Sequence, residues 1–249
     1  MDSRLGILRE ASRRACERIL GKRSDVIAVY IIGSVARGNI HEKSDVDMMV
    51  VAEQGDDFRE ERSEELGCNV DIVYSPLILW KEEIYHSWGS DWEVEVSSLV
   101  DSLVLYDPRG LVQKAKKDFE VYPEENRSRG IRNIHQKMRG FSESVWYHWL
   151  NRNYDVESVF SKLYAMEALR ILFPLNRVYL KGDKHVFHQV EELSEKPLGY
   201  LEKCLSLLWF KSQDVNSDEA AWVINTVSET KKAIEDTIHQ LRLASHLRS

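Results

Sequence analysis

Cysteine is scarce in this chain: three in 249 residues, Cys16, Cys68 and Cys204, an odd number set far apart, with no Cys-x-x-Cys and no adjacent histidine pair. That excludes a disulfide-stapled scaffold and a cysteine–histidine zinc site, and leaves three buried thiols as the expectation. Long apolar runs are missing as well. No stretch of 18 apolar residues occurs, so no transmembrane helix is expected. The start, Met1-Asp2-Ser3-Arg4, leads into a charged amphipathic pattern and not into an apolar signal core, which points to a cytoplasmic protein. Positive charge is the minority sign, with 34 Lys and Arg against 41 Asp and Glu, a formal net charge of −7. A general nucleic-acid binder carries a basic footprint, so that class is disfavoured, whereas a cationic small molecule would be attracted. The five prolines, Pro76, Pro108, Pro123, Pro174 and Pro197, all read as punctuation between elements. Internal repeats and low-complexity tracts are absent from the sequence.

What is present is enough apolar residue, 43% of the chain, to build a sizeable core in two parts. Leu5, Leu8, Ala11, Ala15 and Ile19 recur every three or four positions and predict a helix near 4–20 that packs on a sheet. Apolar, β-branched runs predict strands near 26–32, 46–52 and 69–74. Between the last two, the run Glu60-Glu61-Arg62-Ser63-Glu64-Glu65 reads as a solvated loop or helix end. Helical stretches follow from Pro76 through Trp80 and Ile84 and on past Trp92, then a strand ending at Tyr106 and a helix near 111–119. The segment 120–126 reads as a linker, so the expected domains are 1–122 and 123–249. Beyond it the strand signals fade. Val156, Val159, Phe160, Leu163, Met166, Ala168, Leu169 and Leu172 mark long helical periodicities, and a helical bundle is the expectation. The fold class expected is an α/β domain followed by an all-α domain.

The chemistry is concentrated in Gly33-Ser34-Val35-Ala36-Arg37-Gly38 and in Ser44-Asp45-Val46-Asp47. The first follows a buried strand. There Gly33 lets backbone amides approach an anion, Ser34 offers a hydroxyl, Arg37 carries a planar fork of donors, and Gly38 permits the chain to turn back. Asp45 and Asp47 open the next strand, where residues two apart share a face. Two carboxylates about 4 Å apart repel by about 4 kcal/mol at an effective dielectric near 20, so such a pair calls for a proton or a cation. Hard oxygen donors suit Mg²⁺ or Mn²⁺ shared with substrate phosphates. Asp71, on the strand 69–74, is the expected third carboxylate, and three acids around two ions match an arrangement that stabilises both attacking and leaving oxygens.

On these residues the first half of the chain resembles the nucleotidyltransferase superfamily that includes DNA polymerase β, and more closely its kanamycin-nucleotidyltransferase-like and minimal branch. Gly33, Ser34, Arg37, Gly38, Asp45 and Asp47 match its Gly-Ser and Asp-x-Asp pattern, and Leu105-Tyr106-Asp107 looks like the end of its catalytic domain. The resemblance implies a mixed sheet in the first domain, and transfer of a nucleoside monophosphate, with ATP as the expected donor, to a hydroxyl of a small-molecule acceptor, with release of pyrophosphate. It implies Asp45, Asp47 and Asp71 as ligands of two Mg²⁺ or Mn²⁺ ions, Gly33, Ser34, Arg37 and Ser44 on the nucleotide, and a homodimer as one allowed assembly.

In the kanamycin-type branch the helical domain supplies a glutamate that takes the acceptor proton. The counterpart here is Glu143, amid aromatic residues expected to desolvate it, with Glu93 and Glu95 in reserve. Lys181 and Lys184 are expected to reach the phosphates. Arg127, Arg129, Arg132, Lys137 and Arg139 read first as a solvated helix face, and Trp146, Tyr147, Trp149 and Tyr154 as bundle core. Two alternatives stay open: nucleotidylation of a protein or RNA partner, and a non-catalytic nucleotide sensor.

Overall fold

The computed structural model describes residues 2–55, 58–87 and 90–246. The chain divides into two compact units, Met1–Tyr122 and Pro123–Ser249. Among the described residues no helix is long and apolar enough to cross a membrane.

In the first unit the three-to-four spacing of apolar residues produces α1 (Asp2–Lys22), which buries Leu8, Ala11, Ala15 and Ile19. The apolar runs produce β1 (Val26–Ile32), followed directly by the short α2 (Gly33–Arg37), and then β2 (Val46–Ala52). The charged run expected as a loop is instead a strand, β3 (Arg59–Glu65), which hairpins into β4 (Cys68–Pro76). The hairpin has a physical cause. Glu65 pairs with Cys68, and the two connecting residues, Leu66 and Gly67, both take positive φ (55° and 71°), the turn whose twist matches paired strands. Chain order continues with α3 (Leu77–Lys81), a π-helical turn (Glu82–His86), α4 (Ser90–Val100), β5 (Leu103–Tyr106) and α5 (Leu111–Asp118).

The sheet runs β3-β4-β2-β1-β5, antiparallel except for the parallel pair β2/β4. Alternation along the strands separates its two faces. Val46, Met48 and Val50 of β2 and Val70, Ile72 and Tyr74 of β4 share one buried cluster with α1. The intervening residues, Asp47 and Asp71, therefore lie on the opposite face, and the parallel register sets them side by side. Met49 and Val51 on that opposite face are buried as well, so Asp47 is the one exposed position of β2, and slipping the strand by one residue would turn its carboxylate into the apolar cluster under α1.

The second unit contains α6 (Glu124–Leu150), α7 (Tyr154–Arg170), α8 (Leu172–Asn176), a 3₁₀ turn (Asp183–His185), α9 (Val186–Glu192), α10 (Tyr200–Trp209) and α11 (Ser217–His246). The expected linker is shorter than 120–126, because α6 already starts at Glu124. Pro123 has no N–H to leave unpaired, and Glu124 and Glu125 favour the positive end of the helix.

The apolar periodicity of α7 misjudges its inner face. Val159 and Leu163 are exposed, while Glu157, Ser158, Ser161 and Tyr164 are buried. Small residues, Ser158, Ser161, Ala165 and Ala168, line that side, and they let α6, α10 and α11 pack closely. Trp146 and Tyr147, expected in the core, are exposed too, and Trp149 and Tyr154 are only half-buried.

Candidate active site

The end of β1 determines the site. Gly33 takes φ +70°, and a Cβ placed there would lie 2.6 Å from Oδ2 of Asp47. The loop backbone and the carboxylate thus touch, and only glycine permits both the left-handed turn and the approach. Val35, fully buried, anchors α2 beneath the sheet end. Gly38 closes the short helix at φ 76°, where its N–H and that of Asn39 donate to the Ser34 carbonyl.

Ser44 is buried and closes the turn before β2. Its Oγ accepts the His41 N–H at 2.8 Å, while Arg4 Nη2 donates to its carbonyl at 3.3 Å. The hydroxyl expected on the nucleotide accepts this one N–H within its own turn, directly ahead of Asp45. Arg37 is mostly buried and pairs with Asp101 at 3.8 Å. The fork of donors expected to meet phosphate is therefore anchored beside β5.

Asp45, half-exposed, stands two residues before Asp47, and Asp47 is level with Asp71 across the parallel pair. A residue that the sequence did not single out joins them. Arg62, in register with Asp71 on β3, places Nη2 3.3 Å from Oδ2 of Asp45 and Nε 3.3 Å from Oδ1 of Asp71. Asn69 Nδ2 donates to the other Asp45 oxygen at 3.3 Å. Arg62 could not be found from motif spacing, because β3, made wholly of charged and polar residues, carries no apolar alternation, whereas Asn69 lies on the recognisable β4, two residues before Asp71. The one available signal for Arg62 was the Leu66-Gly67 turn that pairs β3 with β4.

On the same sheet face, Tyr30 accepts the Trp80 indole N–H at 2.9 Å, and burial raises its phenol well above the usual range, so it stays neutral. Glu93, one reserve base, is buried and accepts the Tyr122 hydroxyl at 2.5 Å, a core contact; Glu95 is half-buried.

A family model described as polymerase beta, nucleotidyltransferase, matches residues 14–75. That interval contains Gly33, Asp45, Asp47 and Asp71. The first unit is a nucleotidyltransferase-superfamily domain. Its fold is similar to the crystal structure of a nucleotidyltransferase-like protein from Exiguobacterium sibiricum, with a TM-score of 0.62 at 9% identity, covering 89% of this chain and 73% of that one. None of the curated proteins compared with the chain matched it.

Nucleotidyltransferases of this superfamily generally use divalent metals, and the donor chemistry of this domain fits one: three hard carboxylates on one face, two of them already attracting a single guanidinium. As the side chains stand, no three His, Cys, Asp or Glu among the described residues converge on one point.

In the second unit the expected residues take other settings. Glu143 is 69% exposed and lies 3.7 Å from Arg139 Nη2. The aromatic shielding expected of it is missing, because Ser142 and Val145 turn inward and leave 143 on the outer face of α6. With Arg132, His135 and Arg139 it lines an open hollow of about 500 Å³. Lys181 and Lys184 are exposed, with the Lys181 N–H donating to Gln189 Oε1 at 2.8 Å. Arg127, expected on a solvated face, is buried, and its Nε donates to the Pro174 carbonyl at 3.0 Å.

Proposed function

We propose that the protein is a metal-dependent nucleotidyltransferase of the kanamycin-type branch that moves a nucleoside monophosphate, AMP from ATP in the first instance, to a hydroxyl of a small-molecule acceptor. The observation that carries this reading is the contact between the Gly33 backbone and Asp47, which makes the glycine loop and the acidic strand parts of one site. In this reading the 1–122 unit is catalytic and the 123–249 unit is a helical bundle domain. Asp45, Asp47 and Asp71 hold Mg²⁺ or Mn²⁺, two ions in the full arrangement, and bound metal would supply charge neutralisation to the phosphates and activation of the attacking oxygen.

The chain's own residues account for positioning. The Gly33–Ser34 backbone and the Ser34 hydroxyl receive phosphate oxygens, and Ser44 and Arg4 fix the turn that aims Asp45. Arg37, held by Asp101, contributes positive charge at the far side of α2. Glu143 is carried as the group that takes the acceptor proton, and Lys181 and Lys184 as phosphate contacts. Most of the rate enhancement then comes from orientation and charge stabilisation. A net charge of −7 supports a cationic acceptor over a nucleic acid.

The exposed arginines of α6, Arg129, Arg132 and Arg139, favour as a second reading a polyanionic or protein partner as the acceptor.

The test is incubation with each α-³²P-labelled NTP and Mg²⁺, against aminoglycosides and metabolites, RNA and the protein itself. Label on a small molecule, abolished by Asp45→Asn without loss of fold, is the expected result. Label only on protein or RNA would replace it by the second reading, and an active Asp45→Asn variant would overturn the assignment.

A further inference from the structure

Resting on the assignment of Asp45 and Asp71 as metal ligands, we propose that Arg62 is an internal competitor for the metal: its guanidinium and a divalent cation use the Asp45–Asp71 pair one at a time, so metal enters only as Arg62 leaves.

Three observations carry this. Arg62 bridges the two carboxylates with one contact of 3.3 Å to each, longer than the roughly 2.7–2.9 Å of a tight charge-assisted hydrogen bond, and its side chain is 63% exposed. Its single charge offsets half of the pair's negative charge without being locked there. Next, with Asn69 on the other oxygen of Asp45, the Arg62 contact must be given up before Asp45 can offer that side to an ion. A divalent ion beside a retained guanidinium would also set like charges against each other at contact distance.

Finally, the strand is built so that the side chain can swing alone. Along β3, residues 61, 63 and 65 point the other way, and Arg18 of α1 grips all three: Nη1 to Glu61 at 3.0 Å, Nη2 to Ser63 at 2.8 Å and Nε to Glu65 at 3.0 Å. The backbone of β3 is thereby pinned to α1 and paired to β4, while Arg62 on the opposite face is free to rotate into solvent or towards an incoming phosphate. One arginine thus clamps the strand, and the other guards the acids.

The test is a titration of the full chain with Mn²⁺, reading free Mn²⁺ by electron paramagnetic resonance, for wild type, Arg62→Gln, Arg62→Lys and Asp45→Asn, with melting curves in parallel. Two exposed ion pairs lost on metal entry correspond to about a threefold to tenfold gain in Mn²⁺ affinity for Arg62→Gln. Arg62→Lys, which keeps the charge, is expected to stay near wild type. Without metal Arg62→Gln is expected to melt lower than wild type, and with Mn²⁺ to gain more. Wild-type binding that Asp45→Asn weakens but Arg62→Gln leaves unchanged or weaker would overturn the competition and spare the metal site. Tightening by Arg62→Lys as large as by Arg62→Gln would overturn it as well. Absence of Mn²⁺ binding in both wild type and Arg62→Gln would overturn the metal assignment and the competition with it.

Discussion

Replacing Gly33 by alanine separates two costs that the structure superimposes. The backbone cost comes from φ +70°, a conformation that disfavours a side chain by about 1–2 kcal/mol. The contact cost comes from Asp47: Oδ2 must retreat from 2.6 Å to the 3.4 Å at which ordinary contact begins, about 0.8 Å. Because that oxygen is the far end of a surface carboxylate, rotation absorbs the clash and adds little to unfolding. It does displace a proposed metal ligand, and misplacement by ~1 Å costs on the order of 100-fold in rate.

Gly38→Ala is the control. It has the same left-handed requirement at φ +76°, but its Cβ would meet only Leu5 Cδ2 at 3.9 Å. Both variants are expected to melt about 3–10 °C lower than wild type. Only Gly33→Ala should lose about 30- to 100-fold in nucleotidyl transfer, measured as kcat with labelled NTP. Equal losses of activity in the two variants, or a Gly33→Ala enzyme near wild type, would refute the argument that the loop and Asp47 form one site.

Glu157 makes the stability of the helical unit fall with pH. Complete burial, with both carboxylate oxygens lacking a hydrogen-bond partner, pushes it up to about 8 from the ordinary 4.5, so folding takes up a proton between those values. The stabilisation is full below about pH 4.5, declines by about 1.4 kcal/mol per pH unit and is gone above about pH 8. Urea melts of wild type and Glu157→Gln should therefore diverge between pH 5 and 8, with the variant flatter and more stable at neutral pH; parallel curves would contradict this. For Glu143→Gln, kcat is expected to fall about 100-fold with KM for NTP unchanged, the signature of a lost proton acceptor. An unchanged kcat would remove Glu143 from the mechanism.

The elements legible in the sequence were those whose residues agree with their neighbours at short range. β1 and β2 are apolar runs bounded by turn residues, α1 repeats at helical spacing, and the glycine loop and Asp-x-Asp carry their chemistry in the order of the chain. The elements that escaped are those stabilised by partners distant in sequence. β3 has no apolar residue, and it is a strand because β4 supplies its hydrogen bonds and Arg18, more than 40 residues away, supplies its side-chain contacts. On α7 the periodicity of Val159 and Leu163 pointed outward, because close helix packing selected Ser158, Ser161 and Ala165 for the inner side.

By itself, then, the sequence determined that this protein carries a loop able to approach an anion and a strand with two carboxylates on one face. Those follow from glycine's freedom in φ and the period of two along a strand. Only the tertiary structure decided that the loop touches Asp47, that Asp71 stands level with it, and that Arg62 lies between Asp45 and Asp71. The physical reason is that strand order and register bring these groups within a few ångströms of each other, and no local propensity encodes a register.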